Sequence, residues 1–145
     1  MEYDLSDVDD PRDYTSIPPG TYRVRIAEVR VGHTQEGVER WGLRLDVIEG
    51  DYAGRTAAWD GISWGERGKA RTKFVLSQLG YETDGVVRIE PQELQGKAAV
   101  VSLQREERED PLSGQRVVRL KVPYLGWERE DALPSNGALS DAFSA

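Results

Sequence analysis

The chain has no cysteine, a single histidine, a single methionine and only two phenylalanines. Without thiols it has neither disulfides nor thiolate metal sites, so packing and hydrogen bonding alone must hold it. The lone imidazole, His33, offers no second ligand for a metal and no cysteine for a dyad; in its polar stretch it reads as a solvated loop residue. No apolar run approaches the roughly 20 residues a membrane-spanning helix requires. The start Met1-Glu2-Tyr3-Asp4 is acidic, the wrong charge for a signal or transit peptide, so a cytoplasmic location without membrane association is expected. Carboxylates are plentiful, but Asp7, Asp9 and Asp10 lie in an aperiodic segment and Glu106-Glu107 in a hairpin. Neither group resembles a desolvated pair tuned for proton transfer. Gly65-Glu66-Arg67-Gly68-Lys69-Ala70 has too few residues between its glycines for a phosphate loop, and Ala70 lacks the hydroxyl that would hold magnesium. Catalysis and cofactors are therefore not expected.

An excess of positive charge is missing too: 19 Lys and Arg stand against 26 Asp and Glu, for a net −7 over 145 residues. The distribution matters more than the sum. Residues 1–14 hold six acids (Glu2, Asp4, Asp7, Asp9, Asp10, Asp13) against Arg12 alone, whereas residues 15–130 hold 18 acids and 18 Lys or Arg. The body is neutral and can carry a basic face if its acids segregate elsewhere. Three segments follow: an acidic flexible arm over 1–16 ending at Pro18-Pro19-Gly20, a folded body over 17–131, and a small, polar, flexible tail over 132–145.

Within the body the dominant period is two. Tyr22, Val24 and Ile26 share one face of a first strand, with Arg23 and Arg25 opposite, but Val29 and Val31 continue in the other phase. A parity flip inside one run needs an extra residue, which places a β-bulge near Ala27-Glu28. A second strand puts Trp41, Leu43, Leu45 and Val47 inward and Gly42, Arg44 and Asp46 outward. The turn Glu49–Arg55 holds two glycines suited to positive φ, and Tyr52 in it reads as a structural plug. A third strand, Thr56 to Trp64, contains Gly61, a candidate bulge or kink. Glu66 to Leu79 changes to helical spacing, with Ala70, Phe74, Val75 and Leu79 as its stripe and Gly80 just past its end. After the short turn Pro91–Leu94, Ala99, Val101 and Leu103 alternate along a fourth strand. Val118, Leu120 and Val122 face in along a fifth, with Val117, Arg119 and Lys121 out. Three strands, a helix and a hairpin predict a mainly β fold: a five-stranded antiparallel barrel of oligonucleotide/oligosaccharide-binding (OB) type, one helix between strands three and four, and flexible termini.

Pro18-Pro19-Gly20-Thr21-Tyr22, the turn Glu49-Gly50-Asp51-Tyr52-Ala53-Gly54-Arg55, the helix end Leu79-Gly80 and Glu93-Leu94-Gln95-Gly96-Lys97 occur in an order that resembles phage-type single-stranded-DNA-binding proteins of OB fold. The likeness spans about residues 17–127. It implies non-sequence-specific single-strand binding in phage replication or recombination, with replication or recombination proteins as further partners. The loop Gly32 to Arg40 is acidic where a small-residue turn would be expected. The ending Asp141-Ala142-Phe143-Ser144-Ala145 has one acid, unlike the acidic docking tails of bacterial single-strand binders.

Binding a single strand takes cations along a groove and aromatic faces for unstacked bases. Arg23, Arg25, Arg40 and Arg44 on strands one and two supply the first, extended by Arg105, Arg108, Arg116, Arg119 and Lys121 on the last hairpin. Trp59 and Trp64 are the candidate stacking residues; Trp41 is in phase with the core and Trp127 caps the barrel. Arg67, Lys69, Arg71 and Lys73 recur every second residue, which spreads them around a solvated helix. A protein–protein adaptor barrel and an oligosaccharide-binding barrel are the alternatives. A homo-oligomer is compatible with the sequence.

Overall fold

A computed structural model of the chain describes residues 12–13 and 16–131. Most of the acidic arm and the whole of the tail over 132–145 lie outside the described residues. Alternating strands β2 (Gly20–His33), β3 (Glu39–Val47), β4 (Thr56–Ser63), β5 (Ala98–Glu109) and β6 (Arg116–Lys121) build a mainly antiparallel sheet. The two-residue strands β1 (Arg12–Asp13) and β7 (Trp127–Glu128) complete it. Two helices interrupt the strands, α1 (Lys69–Gln78) and the single turn α2 (Pro91–Leu94). The pairing order is β1-β6-β5-β2-β3-β4, with β7 against β5 and only β1–β6 parallel.

The phase change in the first strand is a bulge, as its sequence predicts: the β2–β3 register slips between Ile26 and Glu28. The loop after α2 fastens this point, since Gly96 N–H donates to the Ile26 carbonyl and Ile26 N–H to that of Lys97, both at 2.8 Å. Before the bulge Val24 and Ile26 point into the core; after it Glu28, Arg30 and Gly32 take the outer side. The β3–β4 turn closes through Gly50 and Gly54 at φ of 84° and 88°, a region where a Cβ is strained. Gly61 marks no bulge: it stands in register with Gly42, and the β3–β4 shift falls instead between Leu45 and Asp46.

The core lies under β2, β3, β4 and β5 with Leu120 of β6, and is closed by Val75 and Leu76 of α1, Leu94 of α2 and Trp127. Two expected facings differ. Ala70 is exposed, and the buried residues of α1 are Thr72, Val75 and Leu76. Thr72 docks the helix on the end of β4, donating to the Ser63 carbonyl at 2.7 Å and accepting from Ser63 N–H at 3.1 Å. Val117, expected to face out, is only 3% exposed, at the position where β1 pairs with β6.

β4 and β6 end the antiparallel run and approach each other without a ladder between them. A polar clasp occupies this seam. The Arg71 guanidinium of α1 bonds Asp60 Oδ2 of β4 at 2.8 Å and the Gly61 carbonyl at 3.1 Å. It also reaches the carbonyl of Tyr124 at 3.2 Å and that of Pro123 at 3.4 Å, beyond β6. Trp127 Nε1–H donates to the same Asp60 oxygen at 2.7 Å. Among the basic residues at the start of the helix, Arg71 is thus no solvated cation.

Two tyrosines tie loops to this frame. The Tyr22 hydroxyl donates to the Pro18 carbonyl at 2.6 Å, and its ring meets Tyr52 edge-on, with centroids 6.2 Å apart. Burial, then the neighbouring Tyr52, raises the Tyr22 pKa above its ordinary 10.0. Burial, then Glu93, raises that of Tyr81. A phenol with a higher pKa when folded favours the native state fully below the unfolded value and loses that contribution as pH climbs through the folded one. Stability is therefore expected to be insensitive to these groups up to a pH of about 10 and to fall beyond it. Urea midpoints on either side of that value test this, and Tyr22→Phe should make the alkaline loss smaller.

Candidate nucleic-acid interface

The outer face of β2, β3 and β4 can be read row by row from the pairing. Arg25 stands opposite Asp46; Glu28 opposite Arg44, which in turn pairs with Trp59; Arg30 opposite Gly42 and then Gly61; Gly32 opposite Arg40 and then Ser63. The tertiary structure thus gathers Arg25, Arg40, Arg44 and Trp59 of the expected set on one surface. It adds Arg30, which sequence reasoning missed. The signal was present: once the bulge reverses the parity of β2, the outward positions become Glu28, Arg30 and Gly32.

Trp59 is the exposed aromatic of this surface, 41% accessible. Its ring leans diagonally onto Gly42, where an added Cβ would lie 3.6 Å from the indole. The Arg30 guanidinium sits over the ring, 4.6 Å from its centroid, a cation–π arrangement. Arg40 lies flat against Gly61, in the space a side chain at 61 would take. Two glycines opposite one another therefore keep the centre of the sheet low, and an indole and two guanidiniums lie across it. Beside them Arg30, Gly32, His33, Thr34, Arg40 and Gly42 line a shallow groove of ≈ 410 Å³ whose lining contains no acid.

The charges are partly internal. Glu28 bonds Arg30 Nε at 2.6 Å through one oxygen and Arg44 NH1 at 2.9 Å through the other. Asp46 Oδ1 lies 3.4 Å from Arg44 Nε. Among the described residues no carboxylate pairs with Arg25 or Arg40, and both are exposed.

The remaining candidates sit elsewhere. Arg23 is held by Glu49 at 2.9 Å and by the Glu130 carbonyl, under the segment that follows β7. Trp64 packs edge-on against Trp41, centroids 5.0 Å apart, partly buried with its indole N–H unpartnered. The hairpin cations divide between its two faces. Gln104, Glu106 and Arg108 share one face with Lys121, Arg119 and Val117; Arg105, Glu107 and Glu109 share the other with Leu120, Val118 and Arg116. Glu106 contacts Lys121 at 3.1 Å and Arg108 at 3.8 Å, and Glu107 contacts Arg116 at 2.7 Å. His33 ends β2, opposite Glu39, and borders the groove.

Fold and site together define a small antiparallel β protein carrying a basic and aromatic platform on three neighbouring strands. No helix among the described residues is long and apolar enough to cross a membrane. The chain belongs to the family of proteins of unknown function designated DUF669, whose profile matches residues 1–82. That stretch contains β1 to β4, α1 and every residue of the platform, and stops before β5. Comparison with curated proteins gives no match.

Proposed function

We propose that this protein binds single-stranded DNA without sequence preference, acting as an OB-like module in phage replication or recombination rather than as an enzyme. One observation carries the reading: Trp59 is exposed on a sheet surface lowered by Gly42 and Gly61, with Arg30 over its ring and Arg40 alongside. An indole offers a stacking surface to any base, and guanidiniums meet the phosphates on either side of it.

The topology supports the same reading. The order β6-β5-β2-β3-β4, with α1 between β4 and β5, is compatible with a five-stranded OB-type arrangement whose sheet stays open between β4 and β6. In such barrels oligonucleotides lie on the face of the second and third strands, which here are β3 and β4, and on the loops beside it. OB barrels are partly open, and the Asp60–Arg71 clasp serves at the seam where a ladder would otherwise close the sheet.

Labelled oligo(dT) is expected to bind with an affinity that falls steeply as salt rises, by a log–log slope of about −0.7 per phosphate contact. Duplex of the same length should bind much more weakly, because its bases are already stacked. Fluorescence anisotropy at two salt concentrations checks both. Salt-independent capture, or equal affinity for single strand and duplex, would favour an adaptor barrel instead.

A further inference from the structure

Resting on that reading, we propose that the outer face holds a phosphodiester subsite formed by Arg30 and Arg44, and that Glu28 occupies it until a nucleic-acid strand displaces it. The geometry is that of a bridged anion. Glu28 divides its two oxygens between two guanidiniums, Oε2 on Arg30 Nε at 2.6 Å and Oε1 on Arg44 NH1 at 2.9 Å. A phosphodiester presents the same fork to arginine through its two non-bridging oxygens, each able to accept more than one hydrogen bond.

Three further features mark this as a ligand position. Arg44 Nε is shielded from water and makes no hydrogen bond, its nearest acid being Asp46 Oδ1 at 3.4 Å. It is a donor without a hydrogen bond beside the position that Glu28 occupies. The Arg30 guanidinium lies 4.6 Å from the Trp59 centroid, so an anion on Arg30 would adjoin a base on the indole, as phosphate and base adjoin in a nucleotide. Glu28 itself is about a third exposed and anchored only to the two arginines, so it can swing into water. The bulge after Ile26 is what turns Glu28 outward; an unbroken strand would aim it at the core.

Glu28 thereby raises the threshold for binding. Isolated phosphates and short strands must compete with a tethered carboxylate, while a long strand engaging Trp59, Arg40 and the groove together displaces it.

The test compares the full-length wild type, Glu28→Gln and Asp51→Asn by anisotropy with labelled oligo(dT) at two salt concentrations. Asp51 is exposed in the β3–β4 turn, so its variant removes the same charge away from the subsite. Glu28→Gln should bind on the order of three- to tenfold tighter at low salt, because two partly exposed ion pairs no longer compete. Its salt slope should steepen by up to about 0.7, one more phosphate contact. Asp51→Asn should gain much less. If Glu28→Gln gains no more than Asp51→Asn, or binds more weakly than wild type, the subsite is wrong and Glu28 merely holds the arginines in place. Binding by none of the three proteins overturns the single-strand reading, and the subsite falls with it.

Discussion

Replacing Arg71 with alanine is expected to destabilise the fold by about 3–5 kcal/mol, the usual cost of removing one partner from a largely buried ion pair. Both side chains qualify: Arg71 is 16% and Asp60 13% exposed. The substitution leaves the Asp60 carboxylate with Trp127 Nε1–H and removes the guanidinium from the carbonyls of Gly61, Pro123 and Tyr124, of which that of Pro123 keeps the Gly126 N–H. These groups belong to β4 and to the segment between β6 and β7, which no ladder joins, leaving the Trp127–Asp60 hydrogen bond to tie the seam. For a chain of this size such a loss should lower the melting temperature by on the order of 10 °C. Urea denaturation gives the free energy directly, and a double replacement, Asp60→Asn with Arg71→Met, provides a sharper check. Removing both charges should cost less than the two single losses summed, because no charge is then stranded. A wild-type midpoint for Arg71→Ala would mean that the sheet ends hold together without the clasp.

Trp59→Ala is the counterpart on the functional side, with a large effect on binding and a small one on stability. Stacking on an aromatic contributes about 1–3 kcal/mol per base, so the affinity for oligo(dT) should fall by about 5- to 150-fold. The salt slope should hardly move, because no phosphate contact is removed. Trp64→Ala should do the reverse: its ring packs on Trp41, so its loss is expected to lower stability and leave intrinsic affinity almost unchanged. Anisotropy titration and urea unfolding of both variants separate the two roles. Undiminished binding by Trp59→Ala would place the strand on another surface.

Much of the architecture is legible in the chain because it follows from local constraints. The parity flip between Ile26 and Val29 admits only an inserted residue, and the register slips at that point. Gly50, Gly54 and Gly80 stand where the backbone turns left-handed, a conformation costly for residues with a Cβ. Alternation along Trp41, Leu43, Leu45 and Val47 fixes the buried side of β3. The same logic reaches part of the site, since Arg40, Arg44 and Trp59 are outward positions of adjacent strands.

What stayed hidden depends on partners distant in sequence. Arg71 looks like Arg67, Lys69 and Lys73 in the chain; it differs only because Asp60 and the carbonyls after β6 converge on it. Arg23 looks like Arg25, yet Glu49 and the Glu130 carbonyl take it up while Arg25 stays exposed. Period-two alternation assigns a residue to a face but does not say what covers that face, which is why Val117, expected to face out, is buried. The sequence by itself determined the five main strands, the turns, the helix and the bulge in β2, through steric preferences and hydrophobic phase that act within a few residues; the β3–β4 shift at Leu45 and the short strands β1 and β7 were not legible there. Only the tertiary structure decided which charges are spent on one another and which still face a ligand. Ion pairing acts through space: it chose Glu28 for Arg30 and Arg44, Asp60 for Arg71, and left Arg40 beside Trp59 without a carboxylate.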